Sequence, residues 1–406
     1  MNTKIETIKS GSVTSPGGFN AGATYAGIKK KSENALDLAI LFSETLSTAA
    51  GVFTTNCIKA APVVLSQEKL KEEGKAVAVV VNSGCANACT GERGLADARE
   101  TVRLTAIALG ASPDDVLVAS TGVIGVNLPV EKIREGIDKI VLSPDGGHKF
   151  ARAIMTTDTV HKEIAVKVRG SDSEFIIGGA AKGAGMIHPQ MATMLGFLTT
   201  DAAVEGGFLT QALKKAVDAS FNMISVDGDS STNDTVFLLA NGKAGNKPIT
   251  VDSKDAVIFQ DALEAVCIHL AKSIVRDGEG ATKMIEVVVG GAASLAGARQ
   301  AARTIVSSTL LKAAIHGNDP NWGRVLAALG RSGVEIVEPK INLYLGDMCL
   351  VRDGAPLPFV KSEAAARLDR KEVQIIIELN MGWEQAIAWG CDLTAEYVKI
   401  NAEYTT

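Results

Sequence analysis

The stretch "KGAGMIHPQMATMLGFLTTDA", residues 182–202, divides the chain. Three methionines, a proline and a lone histidine surround Thr193, with glycines at 183 and 185. The run follows neither a helical nor a strand period. It also lacks the Ser/Asn/Asp-rich composition of an ordinary exposed loop. Regular patterns lead up to it and restart after it. Upstream, "KEIAVKVRG" and "SEFIIGGAAKG" read as a strand hairpin running into the segment, and "GFLTQALKKAVDASF" downstream is an amphipathic helix.

Outward from this segment, strands and helices alternate. "DLAILFS" (37–43) and "AVAVVVNSG" (76–84) read as strands, the second apolar on both faces as a central strand would be. "LADARETVRLTAIALG" (95–110) has helical spacing and a glycine where a C-cap belongs. "DDVLVASTGVIG" (114–125) is a strand that breaks into a loop. In the second half, "NDTVFLLANG" (233–242) is a strand and 255–278 one long helix, capped by Asp255 and closed by Gly278. "MIEVVVGGA" is a strand, "LAGARQAARTIVSSTLLKAAIHG" one helical run, and "INLYLGDMCLVRDG" and "EVQIIIELN" late strands. The class is mixed α/β, with helices packed on sheets.

Of the 406 residues, 46% are hydrophobic and only 4% aromatic, so the core rests on Ala, Val, Ile and Leu. A net charge of −5 argues against a nucleic-acid-binding surface, which normally carries a basic stripe. The six cysteines are sparse and form no CxxC pair, which fits reduced thiols in a cytoplasmic protein and no structural zinc. No secretory h-region and no apolar run long enough for a membrane span are expected.

Several residues could carry chemistry. A threonine in an apolar run is ordinarily structural, its hydroxyl bonded to a nearby carbonyl. Thr193, however, follows a small alanine inside a glycine-hinged segment. A hydroxyl there can attack the carbonyl of Ala192, shift the acyl group from nitrogen to oxygen, and leave Thr193 as a new N-terminus. The freed α-amine, with a pKa of roughly 7.7–8.0, can then act as base for its own hydroxyl. "STGVIG" (120–125) is an ordinary turn or a pair of oxyanion donors. In "VRDGEGATK", glycines flank Glu279, which can face a cation, and the loop lacks the order of a phosphate-binding P-loop. "SVDGDSSTNDT" (225–235) misplaces the glycine and lacks the closing glutamate of a calcium loop, and reads as a polar turn beside a site. "HGNDPNWGR" (316–324) is a packed loop first and a ligand-facing one second. His188 is more often a packing residue than a partner for Thr193. No GxSxG elbow is present.

Taken in order, "KGAGMIHPQMATMLGFLTTDA", "STGVIG", "MTTDT", "SVDGDSSTNDT", "RDGEGATK" and "HGNDPNWGR" resemble the ornithine acetyltransferase (glutamate N-acetyltransferase) family of arginine biosynthesis. The resemblance spans essentially the whole chain. It implies self-cleavage at Ala192–Thr193 into chains 1–192 and 193–406, and a heterotetramer of two of each. The fold it implies is shared with N-terminal-nucleophile aminopeptidases, and a hydrolase of that type is the alternative reading. The implied reaction moves acetyl from N2-acetyl-L-ornithine to L-glutamate through an acetyl-threonine, without cofactor or metal. Acetyl-CoA is a further donor in some members. By resemblance Thr193 is the nucleophile, Thr121 and Gly122 the oxyanion hole, and Lys182, Glu279, Asn401 and Thr406 substrate contacts. Thr159 is another, with Thr156 and Thr157 beside it. Cys85 stands where the family pattern has Asn; it is expected to touch none of these residues.

Overall fold

Residues 4–30, 35–171, 173–188 and 194–403 are described in the computed structural model. Ala192, Thr193 and Thr406 lie outside them. Among the described residues there are two mixed sheets with helices between and around them. The first has nine strands, ordered Ile5–Thr7, Lys162–Arg169, Glu174–Lys182, Leu195–Thr200, Thr235–Ala240, Leu38–Phe53, Lys75–Cys85 and Val116–Val123. Phe19–Thr24 also pairs with the long strand Leu38–Phe53. The second sheet has seven strands, ordered Ala355–Pro356, Met348–Arg352, Asn342–Leu345, Glu372–Glu378, Met284–Ala292, Glu384–Cys391 and Ile224–Ser225.

The division at residue 193 does not separate two bodies. Leu195–Thr200 lies antiparallel to Glu174–Lys182 on one side and parallel to Thr235–Ala240 on the other. Thr235–Ala240 in turn pairs with Leu38–Phe53. Strands from both halves are thus interleaved in one sheet. The helix Ala256–Arg276 lies between the sheets, packed on Lys162–Arg169 and Glu174–Lys182 and touching Glu384–Cys391. Its buried stripe, from Phe259 through Leu263, Val266 and Leu270 to Ile274, has the three-to-four-residue spacing of a helix facing a core. Burial of that stripe holds the two sheets together, since apolar area removed from water is the largest favourable term in folding.

The observed elements differ from the sequence reading in three instructive places. Asp255 does not cap the long helix: its carboxylate accepts instead from the Ser171 N–H and hydroxyl. That helix also ends at Arg276, leaving Asp277 to turn inward. The run 295–317, read as helical throughout, is two helices, Leu295–Val306 and Thr309–His316. Ser308 starts the second, its hydroxyl accepting from the Leu311 N–H.

Candidate active site

One cleft gathers the residues singled out by chemistry. Thr121 and Gly122 end the strand Val116–Val123, and Lys182 ends Glu174–Lys182. Glu279 follows the long helix, and Asn401 comes from the C-terminal helix Ala395–Glu403. All five line a hollow with ≈ 600 Å³ of free space, its open mouth included, together with Thr156, Thr157, Ser231 and Asn233. Bringing strand ends and a helix end together in this way lets rigid elements fix the side chains.

Gly122 has φ +131°, and a Cβ there would sit 2.3 Å from the Gly84 carbonyl carbon and 2.5 Å from the Cys85 nitrogen. Only glycine fits. The same closeness corrects the expectation for Cys85. It pairs with Thr121 and Val123 across the ladder, directly behind the cleft wall, because Lys75–Cys85 and Val116–Val123 run parallel to their ends. Its thiol donates to the Val126 carbonyl at 3.3 Å. At Gly185 a Cβ would meet the Glu279 carboxylate at 2.5 Å, so a side chain there would displace that carboxylate. Glu279 is held there by its own N–H, which donates to the Ala184 carbonyl at 2.8 Å, and by the Asn401 amide, 2.7 Å from Oε2.

Lys182 is buried, and its ammonium donates to the Thr121 hydroxyl at 3.3 Å. With that lone pair engaged, the Thr121 proton is free to donate to a third atom. Burial pulls the Lys182 pKa below the ordinary lysine value; Asp158 opposes this and Lys162 reinforces it. Behind Lys182 lies a closed knot of charge. Lys162 donates to Asp158 at 2.7 Å and Asp277 at 2.6 Å, with all three side chains nearly sealed from solvent. Asp158 also accepts from the N–H groups of Gly183 and Thr156. Burial pushes its pKa up, but Lys182, Lys162 and the Gly183 N–H outweigh that and hold it at about 2.

The same knot decides which threonine faces the cleft. The N–H and hydroxyl of Thr159 both donate to Asp277. Thr156 and Thr157 line the cleft instead. Three carboxylates were invisible in the sequence reading. Asp158 and Asp277 are 119 residues apart, and no local pattern links them. Asp234 is fully buried. Its Oδ1 accepts the Met194 N–H at 2.9 Å, and Oδ2 has no partner among the described residues. Burial raises its pKa well above the carboxylate range, against the Met194 N–H and Lys182. The only signal for it was the polar turn 225–235, whose Asn233 donates to the carbonyls of Ala86 and Ser120. His188 lies away from this cleft, half-buried, with Nδ1 3.3 Å from the Ser225 hydroxyl. No helix among the described residues is long and apolar enough to cross a membrane.

A cleft that pairs an oxyanion-type strand end with a buried ammonium is the equipment of an acyl-transfer enzyme. The whole-chain comparisons make the class specific. The ArgJ family model matches residues 20–406. The arginine biosynthesis bifunctional protein ArgJ of Dehalococcoides mccartyi is 57% identical over 406 residues, covering 100% of both chains. Its namesake from Symbiobacterium thermophilum is 54% identical over 398 residues, 98% of this chain and 99% of its own. A solved structure of the Bacillus halodurans protein of that name is 45% identical, with a TM-score of 0.50. It covers 51% of this chain and 98% of its own. The chain belongs to the ArgJ family and is an acyltransferase of arginine biosynthesis.

Proposed function

We propose that this chain cuts itself between Ala192 and Thr193 and then carries acetyl on Thr193 from N2-acetyl-L-ornithine to L-glutamate. In the cut, the Thr193 hydroxyl oxygen bonds to the Ala192 carbonyl carbon. The C–N bond breaks, and the Thr193 nitrogen keeps its pair and gains the proton. Water then hydrolyses the ester, leaving a carboxylate on Ala192 and a free amine on Thr193. In transfer, that amine takes the hydroxyl proton as the oxygen attacks the acetyl carbonyl. Ornithine leaves as its amine with a proton. The glutamate amine then attacks the acetyl ester, and its proton returns to the threonine oxygen.

The observation that carries this reading is the convergence of Thr121, Gly122, Lys182, Glu279 and Asn401 on one cleft. Asp234 accepts the N–H of Met194, the residue after Thr193, and its chain neighbour Asn233 lines the cleft. Thr121 and Gly122 would face the developing oxyanion, with the Lys182 ammonium behind them. Glu279, bonded to Asn401, would hold an amino group. Thr156 and Thr157 take the contact assigned by resemblance to Thr159. The solved relative, which matches 51% of this chain at nearly its full length, is close in size to the 214 of 406 residues, about 53%, that such a cut would leave C-terminal. Two chains of each kind would assemble as a heterotetramer, without metal or cofactor. Acetyl-CoA would serve as second donor, in keeping with "bifunctional" in the names of the relatives. The aminopeptidase alternative is not favoured, since whole-chain relatives are named for arginine biosynthesis.

Mass analysis of the purified protein should show two chains beginning at Met1 and Thr193, with acetyl on the second when acetyl-ornithine is supplied without glutamate. An intact chain that transfers acetyl at full rate would refute the nucleophile assignment. Initial rates should give parallel double-reciprocal lines for acetyl-ornithine and glutamate.

A further inference from the structure

A second polar hollow lies beside the cleft and has no part in the chemistry above. It has ≈ 890 Å³ of free space, its open mouth included, and is bounded by the helix Leu295–Val306, the turn after the helix Trp322–Gly330, and His188 with Gly228. Gln300, Arg303 and Thr304 stand at i, i+3 and i+4 and so share one helix face, with Ser307 just past its end. Arg331 reaches over from the neighbouring helix end, its Nη2 3.4 Å from the Thr304 carbonyl. Arg303 donates to Gln300 Oε1 at 2.9 Å. Neither guanidinium has a carboxylate within ion-pair distance among the described residues, although Arg303 is half-buried; Asp218 acts on it only from farther away. Two unpaired forks around one hollow suit a phosphate, because guanidinium presents paired N–H groups to planar or tetrahedral oxyanions.

The hollow is also placed for a long ligand. Met186 lines the catalytic cleft and His188, two residues on, lines the hollow. Asp227 accepts the N–H groups of Met186 and Ile187, and its neighbour Gly228 borders the hollow, so one turn fixes the wall between the two. Acetyl-ornithine is too short to need a second site. A coenzyme A thioester carries its acetyl group at one end and its phosphates at the other. We propose that Arg303 and Arg331 hold the phosphate groups of an acyl-CoA donor whose thioester enters the catalytic cleft. This rests on acetyl-CoA being the second donor.

The test measures binding of CoA, dephospho-CoA and inorganic phosphate by calorimetry, with initial rates for both donors, in the whole enzyme. Wild type, Arg331→Gln, Arg303→Gln and the double variant are compared. Arg331 is exposed, so its replacement preserves the fold even where loss of the partly buried Arg303 stem does not. Each substitution should weaken CoA and raise KM for acetyl-CoA by about tenfold or more, with acetyl-ornithine kinetics unchanged. Dephospho-CoA should bind more weakly than CoA. Unchanged CoA affinity and KM in variants that keep full acetyl-ornithine activity would overturn the assignment. So would wild type that binds inorganic phosphate but not CoA. Wild type that exchanges acetyl with ornithine yet neither binds CoA nor uses acetyl-CoA removes the site together with the second donor. A protein with no exchange from acetyl-ornithine would instead defeat the reading of the catalytic cleft.

Discussion

Asp277→Asn removes one charge from the knot behind the cleft without changing its shape. The Asp277 carboxylate accepts from the N–H groups of Thr159 and Val160, the Thr159 hydroxyl and the Lys162 ammonium. Its side chain is 6% exposed and that of Lys162 is 1% exposed. Whichever way the asparagine turns, its NH₂ faces a donor. Lys162 is then left with one carboxylate, Asp158, which already serves two backbone N–H groups. Breaking a buried pair by removing one partner costs about 3–5 kcal/mol. The neighbouring bridge Arg276–Glu372 is an internal control, with side chains 44% and 55% exposed. Arg276→Ala should cost under about 1 kcal/mol. Urea denaturation of both variants reads the difference. Because Asp277 anchors the 156–160 segment and precedes Glu279 by two residues, Asp277→Asn should also raise KM for acetyl-ornithine. An Asp277→Asn protein as stable as Arg276→Ala, with unchanged KM, would refute the claim that this knot holds the cleft.

Three further outcomes are expected. Thr121→Ala should lower kcat by roughly 10²–10³ with KM nearly intact, the signature of an oxyanion donor lost; an equal loss in KM alone would make Thr121 a binding residue. Thr193→Ser should still be processed, since its hydroxyl can make the same attack, whereas Thr193→Ala should stay uncut; mass analysis distinguishes them, and a fully cut alanine variant would exclude the acyl shift. The depressed pKa of Asp158, about 2 against an ordinary 3.8, contributes stability that is complete above the unfolded value and is lost as pH falls toward 2. The shift corresponds to about 2 kcal/mol. The stability gap between wild type and Asp158→Asn should therefore narrow by about that amount between pH 6 and pH 2 in denaturation titrations, and a pH-independent gap would show that Asp158 is not held ionised by its lysines.

Much of the scaffold was legible in local pattern. The doubly apolar run 76–84 gave a strand within one residue of Lys75–Cys85, buried on both faces along most of its length. The hairpin 162–182 was equally plain, because period and turn agree. The strand Glu384–Cys391 escaped notice. "EQAIAWGC" is short and carries little β-branching, and its place between Met284–Ala292 and Ile224–Ser225 comes from tertiary pairing. The helix break at Ser307–Ser308 was hidden because apolar spacing continues through it, and only the serine cap marks the boundary. For the cleft, glycine-flanked motifs pointed to Thr121, Gly122 and Glu279. The charges behind them did not show, since Asp277 joins the nearby pair Asp158 and Lys162 only when the hairpin closes on the end of the long helix.

The interleaving of the first sheet bears on when the proposed cut can happen. Leu195–Thr200 forms six residue pairs with each of its two neighbours, one from either side of residue 193. A chain ending at residue 192 would leave Glu174–Lys182 and Leu38–Phe53 with open edges where those inner strands belong, and such edges recruit other chains. The proposed cut would therefore be a late event that acts on a finished scaffold. The two polypeptides it yields would behave as one object under native conditions and separate only in denaturant. Two genes encoding the halves apart would make a poor substitute for one continuous reading frame.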